Sequence, residues 1–82
     1  MSGAGFLLVA EVAERYRTSV RSIHGRTRLD RIPHLRRVGF RHLLFKVADL
    51  DAWDAGAPLE AIDLPDGSHL VRPVPNGRAG PD

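Results

Sequence analysis

Ten of the twelve Lys and Arg residues lie between Arg15 and Lys46, where the only acid is Asp30, so this segment carries +9 in a chain whose formal net charge is +2. The remainder is acidic: Val47 to Asp82 holds two arginines against seven carboxylates, and Glu11 and Glu14 precede the basic block. Such segregation is the footprint of a surface for a polyanion, because a merely solvated surface mixes its signs. Eleven of the twelve cations are arginine, whose planar fork matches phosphate oxygens and guanine edges. A GC-rich coding bias would account for arginine over lysine, but not for the clustering.

Other chemistry finds little to stand on. His24, His34, His42 and His69 form no i, i+4 pair, and the chain has no cysteine. Local spacing therefore predicts no zinc site, and no metal or cofactor is expected. Gly3-Ala4-Gly5 lacks the preceding strand and following lysine of a phosphate-cradling loop. Ser19 and Ser22 read as a helix cap and a small packing residue rather than nucleophiles, so no catalytic residue and no enzymatic activity are expected. The apolar run Phe6 to Ala10 is far shorter than a membrane span and has no basic flank. The absence of cysteine suits a reducing cytoplasm, and the expected location is cytoplasmic and nucleoid-associated, with no membrane partner.

At 82 residues the chain has room for one modest core, and its elements must place the basic residues on one side of it. Val9, Val12, Ala13 and Tyr16 recur at the spacing of one helical face and predict a first helix. Ser19 is an N-cap for a second helix, in which Val20 and Ile23 point inward and Arg21, His24 and Arg28 share the opposite face. Gly25 sits inside that helix and weakens it by about 1 kcal/mol relative to alanine, which suits close approach of the backbone to a ligand. Ile32-Pro33 forces an extended entry. Residues 34–38 and 42–46 then read as two strands around Gly39-Phe40-Arg41. A short third helix follows, with Asp49 and Asp51 near its N-terminus and Leu50 and Trp53 on one face. The expected core is Val9, Val12, Ala13, Tyr16, Val20, Ile23, Leu29, Ile32, Val38, Phe45, Leu50 and Trp53.

Residues 55–58 read as a linker. The period-two alternation of Leu59 to Leu64, the turn signal Pro65-Asp66-Gly67 and the run Ser68 to Val74 predict a C-terminal β-hairpin over 59–74. A lone hairpin is marginal in water, so this one either joins copies of the chain on tandem sites or lies as a flap on the core. Residues 1–5 read as frayed and 75–82 as a disordered tail.

The run Leu7 to Tyr16, then Ser19 with Ser22-Ile23, Ile32-Pro33, Val38-Gly39, Phe45 and Asp49 to Trp53 resembles, in that order, the MerR-like excisionase family. The resemblance covers about Phe6 to Trp53 and departs at Leu8, where members carry a capping Thr or Ser, at Arg17 in place of a turn glycine, and at Gly25 to Arg28. It implies an α+β winged helix-turn-helix over 6–54, with the C-terminal hairpin as an addition. It also implies double-stranded DNA as partner, with the second helix in the major groove and the wing against the minor groove. An architectural role beside an integrase in recombination is implied; a small transcriptional regulator of the same fold is the alternative. On this reading Ser19, Arg21, Ser22, His24, Gly25, Arg26 and Arg28 form the recognition surface, with Arg21, His24 and Arg28 touching either base edges or phosphate alone. Arg36, Arg37, Arg41 and His42 are the wing contacts. Strand alternation forbids Arg36 and Arg37 from facing DNA together.

Overall fold

The computed structural model describes residues 5–74, so the expectations for residues 1–4 and for the 75–82 tail lie outside the described residues. The described residues form a small α+β fold of three helices and two antiparallel sheets. Its order is β1 (Phe6–Leu7), α1 (Val9–Arg15), α2 (Val20–Arg28), β2 (His34–Arg36), β3 (Phe45–Lys46), α3 (Val47–Asp54), β4 (Leu59–Asp63) and β5 (His69–Pro73). No described helix is long and apolar enough to cross a membrane.

The N-cap position of α1 is Leu8, which has no side-chain acceptor; the Leu8 N–H instead donates to Glu11 Oε1 at 2.8 Å, half of a capping box. Val12 and Ala13 are buried. The turn to α2 reverses through Arg17 at φ 54°, with Arg17 N–H donating to Glu14 O and Thr18 N–H to Ala13 O, a Schellman ending. Ser19 Oγ accepts the Ser22 N–H at 3.0 Å and caps α2 as its residue type predicts. The inward side of α2 is Ile23 and Thr27, both buried. Thr27 belongs in the interior because its hydroxyl donates to the His24 carbonyl at 2.8 Å.

Val12, Ala13, Ile23, Ile32, Leu43, Phe45 and Leu50 form the core, with Leu7, Val9, Tyr16 and Trp53 packed against it. Three expected core residues are outside it: Val20, Leu29 and Val38 are 39%, 63% and 59% exposed. Val20 and Leu29 sit at the two ends of α2, beyond the turn that its Ile23–Thr27 side presses inward, and Val38 lies in a loop. Leu43 and Val71 take buried places instead. A further tie runs between the helices: Arg15 Nη2 donates to Asp51 at 2.7 Å and Asp54 at 2.8 Å, and the Tyr16 hydroxyl donates to Asp54 at 2.9 Å. Tyr16 meets Trp53 edge-on at 5.8 Å.

The predicted hairpin of 34–38 with 42–46 is much reduced. Leu35 and Leu44 exchange two backbone hydrogen bonds, of 2.8 and 3.0 Å, and form a single bridge. The Val38 N–H donates to Ser68 Oγ at 3.0 Å rather than across the hairpin, and Phe40 N–H turns back to Arg37 O beside Gly39 at φ 78°. β3 then pairs with β1, Leu7 against Phe45, and runs directly into α3.

The C-terminal hairpin has the expected alternation and turn, with Gly67 at φ 95°. It is built into the preceding segment, because β5 pairs with both β4 and β2 in a sheet of order β2-β5-β4. Its register sets His34 against Val71, Leu35 against Leu70 and Arg36 against His69. Val71 is fully buried within the chain, whereas Ala61, opposite it in register, is exposed and Leu59 and Leu70 are half-buried. Residues 55–58 connect α3 to β4.

Candidate nucleic-acid interface

The capped start of α2 and its buried Ile23–Thr27 side leave Arg21, His24, Arg26 and Arg28 exposed, with Ser22 and Gly25 half-buried between them. At Gly25 an added Cβ would meet nothing within 4 Å, so internal packing gives no reason for glycine there. Ser19 serves the helix as its cap. Beside the helix lies a cleft of about 280 Å³. His24 of α2, Arg36 of β2 and Arg41 and His42 of the following loop line it, together with the apolar Leu8, Val9 and Leu43. Elements far apart in the chain thus converge on one concavity.

Arg36 and Arg37 diverge as alternation requires. Arg36 lines the cleft, whereas Arg37 is not among its lining residues. The Asp66 carboxyl is held below its usual range first by the Ser68 N–H, then by the Ser68 hydroxyl, with the Arg37 charge adding to them.

Charge pairing divides the molecule. Arg15 is bound by Asp51 and Asp54, which hold its guanidinium pKa above the ordinary value, and Arg72 pairs with Glu60 at 2.8 Å. Among the described residues, Arg17, Arg21, Arg26, Arg28, Arg31, Arg36, Arg37 and Arg41 make no salt bridge, and all eight are exposed. The +9 segment is therefore less one cation at Arg15, and the rest of its arginine charge is open to a partner. Arg17 and Arg31 join the expected set; their flank is legible only once the helix ends are placed.

A second cluster joins residues with no local ligand spacing. Asp30, His34 and His69 each offer one ligand atom, all within 4.8 Å of one another. His34 is 3% exposed, and its Nδ1–H donates to the Ile32 carbonyl at 2.7 Å. Burial pushes its pKa down, partly offset by that hydrogen bond. Its Nε2 is buried without a hydrogen-bond partner, a condition that costs roughly 1–3 kcal/mol. His69 donates from Nδ1 to Asp63 at 2.7 Å and from Nε2 to Asp30 at 3.0 Å. Asp63 first and Asp30 second raise its pKa.

Comparison of the chain with family models, with curated proteins and with solved structures gives no match.

Proposed function

We propose that this protein binds double-stranded DNA sequence-specifically as a winged helix-turn-helix of the MerR-like excisionase type, acting as an architectural factor in site-specific recombination. The observation that carries the reading is the set of eight exposed arginines without a salt bridge, spread over the α1–α2 turn, α2 and the segment from Arg31 through the 37–43 loop. In this reading α2 enters the major groove, where Arg21 and Arg28 reach base edges or phosphate. The 37–43 loop is the wing, and Arg41 and His42 at the cleft follow the adjacent backbone and minor groove. Gly25 lets the helix backbone approach the duplex.

Selection of bound sequences from random DNA, with the number of copies loaded per site, tests the reading. Several copies on tandem sites are expected of an architectural factor, and loading at a lone promoter site favours the regulator. Affinity is expected to fall with salt at a log-log slope of about −3 to −6. A flat salt response would remove the DNA assignment. Arg21→Ala is expected to lose about 1–3 kcal/mol at the selected site and less on random DNA; equal losses on both would make Arg21 a phosphate contact.

A further inference from the structure

We propose that Asp30, His34 and His69 form a binding site for a divalent transition metal of the zinc class, which ties the end of α2 to the β2-β5-β4 sheet. The inference does not depend on the DNA reading.

His34 is already in the protonation state that a metal ligand requires. A carbonyl can only accept, so the 2.7 Å contact to Ile32 O puts the His34 proton on Nδ1 and leaves the buried Nε2 with a free lone pair, in a cluster whose ligand atoms lie within 4.8 Å of one another. A ligating histidine whose other nitrogen donates to a carbonyl is the usual arrangement around bound metals. The sheet register supplies the second imidazole. His34 lies opposite Val71, two residues from His69 on the same face, and the two rings stand 6.0 Å apart. His69 Nδ1–H is held by Asp63, so Nε2 is the nitrogen that ligates, with loss of one proton to solvent and with the Asp30 carboxylate turning from that N–H to the metal.

Asp30 makes the third ligand. It follows the C-terminus of α2 at φ 56°, a left-handed position that favours glycine. Tetrahedral bonds of about 2.0–2.1 Å place ligand atoms about 3.3 Å apart, so the present spacing of up to 4.8 Å closes by side-chain rotation of the half-exposed Asp30 and His69. Water completes the fourth position. Two imidazoles and one carboxylate suit zinc, cobalt or nickel rather than magnesium or calcium, which take oxygen ligands. The Arg36 cation opposes His69 in register and is outweighed by the carboxylates of Asp30 and Asp63.

The test uses the full chain stripped with chelator and titrated with Zn²⁺ by calorimetry and with Co²⁺ by visible absorption. One Zn²⁺ per chain is expected, with a Kd in the micromolar range or below. The intense visible bands of four-coordinate cobalt and a rise in melting midpoint of about 4 °C or more at saturating zinc are also expected. Asp30→Asn keeps a residue that tolerates the left-handed backbone; it and His69→Gln should each weaken zinc by at least about tenfold, and Asp63→Asn, which removes only the support of His69, by about tenfold. Because replacing buried His34 endangers folding, its part is read in the unaltered protein from the imidazole ¹⁵N shift of Nε2 on adding zinc. An unmoved His34 signal, a colourless cobalt complex, or zinc binding undiminished in both Asp30→Asn and His69→Gln would overturn the proposal.

Discussion

All three helices end in the same backbone device, yet only one uses the residue that the device favours. After α3, Gly56 occupies the left-handed position at φ 103°, with Gly56 N–H donating to Trp53 O and Ala57 N–H to Ala52 O. After α1 and α2 the equivalent positions are Arg17 at φ 54° and Asp30 at φ 56°, with matching bonds from Thr18 to Ala13 and from Arg31 to Arg26. A non-glycine residue there costs about 1–2 kcal/mol. Gly25 is the reverse case, a glycine inside a helix where a Cβ would meet nothing. Near the basic face and its base, backbone economy is given up for side-chain charge or for its absence; at α3 it is not. The exceptions cluster where a partner is proposed, as expected of sites that trade stability for function.

Four substitutions test this contrast, in order of expected effect. Gly56→Ala should destabilise by about 1–2 kcal/mol in denaturant unfolding, and a neutral result would show that the α3 end accepts any residue. Gly25→Ala should stabilise by about 1 kcal/mol while weakening binding at the selected DNA site; a gain in both would leave the glycine without a role at the interface. Arg17→Gly relieves left-handed strain against a more flexible unfolded chain, for a net gain of about 0.5–1 kcal/mol, and should reduce the salt slope by about one if Arg17 meets phosphate. The smallest effect is that of Asp30→Gly, measured in chelator, and its sign follows pH. The pKa of His69 is raised first by Asp63 and second by Asp30, so both pairings, the lesser one with Asp30 included, stabilise fully below the ordinary imidazole value of about 6.5. That contribution is lost as pH rises through the raised value. Asp30→Gly should therefore lower the midpoint in mild acid and lose that deficit toward alkaline pH; a difference independent of pH would show that the pairing contributes nothing.

What the sequence made legible was local. The 3.6-residue recurrence of Val9, Val12, Ala13 and Tyr16 and the capping Ser19 placed α1 and α2, and alternation around Pro65-Asp66-Gly67 placed β4 and β5. The failures were non-local. Nothing near residue 34 announces that Val71 will lie opposite it, so neither the sheet nor the meeting of His34 and His69 could be found by spacing. The shortened 34–46 hairpin has the same origin: Ser68, thirty residues away, captures the Val38 N–H that a longer ladder would use. Residue type and clustering marked out the basic segment, but the pairing of Arg15 to α3 needed tertiary structure.

The position of β5 bears on how the chain comes together as it is made. The strand at the centre of the β2-β5-β4 sheet is the last element of the described chain to be synthesised. Until residues 69–73 have emerged, β2 keeps an unpaired edge and His34 lacks its neighbour across the sheet, although α1 and α2 can already pair through local contacts. Closure then depends on contacts about 35 residues apart, the kind that slow folding. The helix that exposes its arginines can form early, while the sheet beside it closes only once the acidic hairpin has arrived.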